Sequence, residues 1–309
     1  MSTTPLYADQ EDPGDPTVGA ELISAPSIRS RQWLSLLKST IGQTRGKIGL
    51  VFVIVIVGLA LLGPLFAPHN PNAFIAFPNQ APGRHLLFGA DALGRDVWSR
   101  FLHGGWTVLY MSLAATVIGV GLGLIVGLSA AYLGGVWDEV LMRIADVFMA
   151  FPQIVLALLL VTAFGPKVYL IILTVGISHA PRVARVIRGA SQQVVERDFI
   201  KAAEAVGEPR RRVIFGELLP NVTSPLMVEF GLRWTYSIGL IAGINFLGLG
   251  LQPPQSDWGL MINDNRLSLT VQPWGVLLPI IGIAALTIGS NLLTDAYARA
   301  AIGIDRGGD

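Results

Sequence analysis

The side chains able to do chemistry are few, and they gather in three places. Residues 198–221 set Lys201, Glu204, Glu208, Arg210, Arg211, Arg212 and Glu217 among small residues, Ala202, Ala203 and Gly207, and close on Leu219, Pro220 and Asn221. Residues 88–100 carry Asp91, Gly94, Arg95, Asp96 and Arg100. The third set lies inside an apolar run: Glu229 and Arg233, four apart and able to pair along one helix face, then Ser237 and Asn245. None of these has a catalytic spacing, and no Ser–His–Asp set or carboxylate pair can be argued. His69, His85, His103 and His179 show no ligand spacing, so no metal site is expected. With no cysteine there is neither a disulfide frame nor a thiolate site. Gly42, Gly46 and Lys47 approach a phosphate-binding loop, but the spacing is one residue short and Ile48 stands at the Ser/Thr position. The chemistry on offer is pairing, docking and positioning.

The rest of the chain is apolar enough to decide its solvent. Of 309 residues 52% are hydrophobic and only 14% charged, with long intervals that carry no charge at all; soluble domains average about 25% charged. This composition predicts an all-α integral membrane protein. A span needs about 20 apolar residues, and six candidates follow. They are 48–66, stopped by Pro68; 108–133, with Gly119, Gly121, Gly123 and Gly127 as a small-residue face for close helix contact; 147–164, bent at Pro152; 168–181, prolonged toward Arg182, Arg185 and Arg188; 225–249; and 274–293.

The remaining stretches complete the organisation. Residues 1–47 form a tail whose first 27 positions, rich in Pro, Asp, Glu, Ser and Thr, are expected to be disordered. Residues 67–107 form one long loop, 108–295 the core with its loop 198–221, and 296–309 a second tail. The apolar run near 48 starts too late for a cleavable signal peptide. Most Lys and Arg fall on the side of the N-terminus, which predicts both termini and residues 198–221 in the cytoplasm. Net charge of +1 says nothing by itself about nucleic acid, and no basic–aromatic patch argues for it.

Within 198–221 a short amphipathic helix over 198–206 ends at Gly207, a residue suited to a left-handed helix stop. A second helix over 209–218 leads to Pro220, which breaks it. Such a helix–glycine–helix is a rigid knob for a soluble partner. Ala202-Ala203, Gly207 and Leu219-Pro220 resemble the "EAA" loop of ABC importer permeases, with Lys201 in place of the name-giving glutamate and Glu217 where isoleucine is usual. Residues 88–100 resemble the FGTDxxGRDxxSR signature of the peptide and nickel class, with Ala90 for threonine. Residues 246–261, through Pro253-Pro254 and Trp258-Gly259, are similar to that class's FLGLGxxPPxxxWGxML stretch. Pro273-Trp274 and residues 291–295 resemble its last span, so the resemblance runs from about Gly46 to Asp295 and is nearest the C-type permease of dipeptide and oligopeptide systems.

That resemblance implies a permease of MetI-like architecture that is not itself an enzyme and lies in the plasma membrane of a prokaryote. It implies coupling to ATPase subunits through Lys201, Ala202, Ala203, Gly207, Glu208, Leu219 and Pro220. It implies contact with a partner permease or a binding protein through Asp91, Gly94, Arg95, Asp96 and Trp258. Its partners would be a homologous second permease in a heterodimer, two ABC ATPase subunits that hold ATP and Mg, an extracytoplasmic substrate-binding protein, and membrane lipid; this chain would bind no cofactor. Ser237 and Asn245 are expected to face the translocation path, and Glu229 and Arg233 either to line it or to form a structural pair. Alternatives stay open: an ion-coupled secondary transporter, a membrane scaffold, or an importer of nickel complexes or haem. The secondary transporter would need energy-coupling residues within its spans and repeat-related broken helices, and no internal repeat is visible.

Overall fold

The computed structural model describes residues 28–303, and the expectation of disorder for the first 27 lies outside them. Those residues are mainly helical, with three isolated β-bridges and no strand among them. Helix α1 (Ile28–Gly42) leads into α2 (Thr44–Leu62), a helix apolar on every side and so suited to lipid. A 3₁₀ turn, Gly63–Phe66, closes it before Pro68. Helix α3 (Val97–Leu133) has 37 residues and begins eleven positions before the apolar run at 108. Asp96 sets that start by accepting the amides of Trp98 and Ser99 as an N-cap.

Gly134 and Gly135, at φ 62° and 53°, turn the chain into α4 (Gly135–Met149). Helix α5 (Gln153–Phe164) follows a break of three residues and is bent 78° from α4. The bend expected at Pro152 is this break. Proline disfavours helical backbone in the residue before it, and Pro152 itself is extended. The 147–164 segment is therefore divided: α5 alone spans about 18 Å, against roughly 30 Å of hydrocarbon. Helix α6 (Val168–Val195) runs unbroken through Pro181 to the level of the 198–221 loop. After that loop come α8 (Thr223–Phe246), α9 (Trp258–Asn265) and α10 (Trp274–Ile302), with α7 (Asp198–Ala205) inside the loop itself.

Among the described residues four helices are long and apolar enough to cross a membrane, namely α2 with its 3₁₀ turn, α3, α6 and α10, and the bent α4–α5 pair makes a fifth if it is counted as one span. Helix α8 has 24 residues but carries Glu229 and Arg233, which lower its apolarity. It occupies the place of the remaining span among the six.

Parallel packing of α3 on α6 is the largest helix–helix contact among the described residues. Gly119, Gly123 and Gly127 fall four apart on one face of α3, where a Cβ would lie 2.6 Å from the Gly176 carbonyl, 2.5 Å from Val183 Cβ and 2.6 Å from the Ala184 carbonyl. Gly121 was expected in that face but looks into open space, because two residues along a helix rotate a side chain by about 200°. A second close pair joins α2 to α10, where Gly49 lies against the Gly289 carbonyl.

Gly123→Leu should force α3 and α6 apart and lower stability by about 1–3 kcal/mol, as overpacking does, whereas Gly121→Leu should be near neutral. Melting temperature in mild detergent, read by size-exclusion fluorescence, checks the contrast. Equal melting of the two variants would refute the seam.

Candidate functional site

At one end of the bundle, α7 stands out as a ledge. Its Ile200 is 1% exposed, and Val213 and Leu218 of the return segment are equally buried, so the ledge is seated on the bundle by apolar contacts. Lys201, Ala202 and Glu204 are exposed, Ala203 is half-buried, and Val206 is 84% exposed. The helix ends as the sequence predicts. Gly207, at φ 86°, donates its amide to the Glu204 carbonyl at 2.9 Å, and Glu208 donates to the Ala203 carbonyl at 3.1 Å. These two bonds are the Schellman pair that locks a helix terminus.

The return segment differs from the expected 209–218 helix. Arg210–Arg212 forms one α-turn, Val213–Leu218 is π-helical, and Leu219–Asn221 is a further α-turn, so Pro220 sits inside a helical turn and the break falls at Val222. Proline is tolerated there because first-turn amides have no intrahelical partner. Between ledge and return lies a groove of about 310 Å³, lined by Ala202, Ala203, Val206, Glu208, Arg212, Val213 and Glu217. Arg212 pairs with Glu208 at 3.3 Å on its rim. Lys201, Ala202, Ala203, Gly207 and Glu208 thus share one surface, while Leu219 and Pro220 lie half-buried behind it. Two ion pairs brace this end: Arg188 with Asp138 and Arg185 with Asp146 tie α6 to α4.

The opposite end is a cap folded over the helix ends. Asp91 accepts the amides of Leu93 and Arg95 on Oδ1 and the Arg95 Nε on Oδ2 at 2.6 Å. Arg95 and Arg100 both reach Asp264 on α9, at 3.1 and 3.7 Å, and Arg100 approaches Asp91 at 3.6 Å. Arg100 also donates to the carbonyls of Pro71 and Gln255. Asp96 caps α3 and meets His69 at 3.1 Å. The cap is pinned to the α9–α10 loop by Gln272, which donates to the Phe88 carbonyl at 2.7 Å, and to the end of α9 by Asn265, which accepts the Ala92 amide.

The expected contact residues of this end do not form its surface. Asp91, Gly94, Arg95, Asp96 and Trp258 are all buried. Trp258 stacks on Phe101 with 5.3 Å between ring centroids and donates to the Phe101 carbonyl at 2.9 Å. An unpaired buried charge costs several kcal/mol, so these side chains turn inward onto each other and support the surface from beneath. Arg84, Leu87 and Arg266 are exposed instead.

The α8 residues likewise face the interior of this chain. Glu229 and Arg233 pair at 3.1 Å and are 6% and 7% exposed, and Arg233 lies over the Tyr236 ring. Ser237 is enclosed by Thr116 and His179. Asn245 donates to Asp257 and accepts the Leu251 amide, and it serves to hold the turn after α8. Ser237 and Asn245 are fully buried, so neither lines an open path in this conformation; the exposed stripe of α8 is Tyr236, Gly239 and Phe246.

Asp264, Asp257 and Gln272 were not singled out from the sequence. Asp257, directly before Trp258-Gly259-Leu260, had a legible N-cap signal; Asp264 is 169 residues from Arg95 and had none. The Asp257 carboxyl is fully buried. Oδ1 accepts from Asn245, Gly259 and Leu260, while Oδ2 has no partner. Burial pushes its pKa up to about 6, against those hydrogen bonds.

The family model described as binding-protein-dependent transport system inner membrane component matches residues 119–302. A second, described as the N-terminal TM domain of oligopeptide transport permease C, matches residues 43–82. A Brucella suis protein assigned as a peptide transport system permease protein is 36% identical over 251 residues, covering 81% of this chain and 84% of its own. The glutathione transport system permease protein GsiD of Escherichia coli is 34% identical over 252 residues, covering 81% and 83%. Among solved structures, an inward-facing MetNI methionine ABC transporter aligns with TM-score 0.49 at 18% identity, over 64% of this chain and 96% of that one.

Two outcomes test the cap. Asp264→Asn leaves Arg95 and Arg100 with one carboxylate between them and should cost about 3–5 kcal/mol, seen as a lower melting temperature. A raised folded pKa means that folded chains take up the Asp257 proton near pH 6, whereas unfolded chains take it up only near 3.8. The penalty of the charged form is therefore present above pH 6 and relieved as pH falls toward 4. Melting temperature between pH 7.5 and 5 should rise in the wild type relative to Asp257→Asn, whose curve lacks this increment.

Proposed function

Because the chain belongs to the family of binding-protein-dependent transport system inner membrane components, we propose that it is a permease subunit of an ATP-driven ABC importer of short peptides. The observation that carries this reading to its own residues is the exposed, locked ledge of α7. Docking to a soluble engine needs a surface that does not bend under load. The Gly207 stop, the buried Ile200 and the groove floored by Val213 supply one.

Lys and Arg concentrate at the ledge end, at Arg182, Arg185, Arg188, Arg197, Lys201 and Arg210, Arg211 and Arg212, which supports a cytoplasmic ledge and cytoplasmic termini in the plasma membrane. Two ATPase subunits, holding ATP and Mg, close beneath the ledge. Their movement is passed through the return segment to α8, and the path between this chain and a homologous second permease changes sides. A binding protein delivers solute at the cap end. Peptide cargo is supported by relatives whose names specify peptide and glutathione transport. Selectivity among peptides belongs to the binding protein and to path-facing side chains of both permeases.

The tagged chain, extracted from membranes in mild detergent, should bring down a second permease and an ATPase with Walker motifs; a chain that purifies alone would count against the reading. Gly207→Pro removes the positive φ that the stop requires, and Ala203→Asp places a charge in the groove. Each should leave insertion intact while reducing uptake of a labelled di- or tripeptide at least tenfold, by an estimate in which tenfold corresponds to about 1.4 kcal/mol of lost coupling. Wild-type uptake by both variants would exclude the ledge as the coupling element.

A further inference from the structure

A chain of buried polar side chains crosses the middle of the bundle, apart from both ends. His179 on α6 is fully buried, with Nε2 3.0 Å from Ser237 Oγ on α8. Ser237 Oγ lies 3.1 Å from Thr116 Oγ1 on α3, and Thr116 gives its only proton to the Ser112 carbonyl at 2.7 Å. Ser237 must then donate to Thr116, and His179 must donate from Nε2 to Ser237. That fixes the neutral imidazole with Nδ1 as acceptor. The donor facing Nδ1 is Gln153 Nε2, at 3.4 Å, which also donates to the Ser178 carbonyl at 2.9 Å. At the far end Trp234 donates to Ser112 Oγ, which donates to the Leu109 carbonyl. Each donor has an acceptor, and the chain ends on backbone carbonyls.

Gln153 is the first residue of α5, directly after the 78° break. Among the described residues it is the one α5 side chain hydrogen-bonded to another helix, since Thr162 bonds within its own. All other members of the chain lie on α3, α6 and α8. Interhelical hydrogen bonds between polar side chains fix the relative placement of membrane helices.

We infer that Gln153 and His179 are positioning residues that set the angle of the broken span. The α3–α6–α8 network is the fixed side, and the Gln153 amide is the tie that the half-span must give up in order to turn. Gln153 lies at the pivot, where a displacement of one side chain swings the whole of α5. The bend is a property of this chain alone, so the inference stands apart from the importer reading.

The chain has no cysteine, so Val140→Cys with Leu159→Cys, both exposed positions on the two arms, can carry nitroxide labels on the full-length chain in lipid nanodiscs. Pulsed electron resonance then reads the distance across the bend. In that background Gln153→Leu and His179→Leu should broaden the distance distribution or shift it by about 5 Å, near one helical pitch. His179→Gln offers an acceptor and a donor where the ring had them, and should keep the wild-type distribution. The inference is overturned if Gln153→Leu keeps the wild-type distance, or if His179→Gln shifts as far as His179→Leu, which would make ring volume the cause. A lowered melting temperature with an unchanged distance overturns it too. Should His179→Leu fail to fold, Gln153→Leu, at a part-exposed helix start, decides alone.

Discussion

The close approach of α3 to α6 is the constraint on which the other contacts depend. In lipid no hydrophobic force pulls two apolar helices together, so association rests on van der Waals contact and on whatever polar groups can reach across. Three glycines let the α3 backbone touch α6. That distance is what allows Ser237 of α8 to meet both His179 of α6 and Thr116 of α3, and Arg188 to reach Asp138 on the segment that follows α3. A larger residue in the seam would lengthen all of these at once.

The two ends of the bundle use charge in opposite ways. At the cap, carboxylates and guanidiniums are buried against one another, an arrangement that adds little net stability but penalises any other arrangement heavily. It specifies a single geometry for a long loop that would otherwise wander. At the ledge, charges face outward and the structure is set by apolar seating and by two backbone hydrogen bonds at Gly207. The first end is built to keep its own shape, the second to present a shape to something else.

Much of this was legible in the sequence, and what was not has physical causes. The ledge could be read because Gly207 and the small alanines act locally, through backbone conformation. The break at Pro152 was local as well. The early start of α3 was hidden because Arg100 and His103 interrupt the apolar pattern, while the signal that sets the start, Asp96 as N-cap, is a single residue. The inward orientation of Arg95 and Trp258 depends on partners some 160 residues away, Asp264 and Phe101, and composition cannot supply those pairings. Gly121 illustrates the limit of counting small residues without their helical phase. Glu229 and Arg233 could be paired from spacing alone, yet their burial against this chain could not.

Helix α3 has one mechanical property that follows from length. At 37 residues it measures about 55 Å, nearly twice the roughly 30 Å hydrocarbon thickness. It is therefore a lever whose ends both stand outside the bilayer core. The cap clamps one end through Asp96, Arg100 and the Trp258–Phe101 stack, and the other end stops at the glycine turn that leads to α4. Rotation by about 10° about the clamped end carries the far end, together with the part of α6 packed on it at Gly127, through roughly 10 Å, by simple geometry on that length. A rod held so firmly at one end converts small angular changes into large travel at the other, without any change in its internal hydrogen bonds.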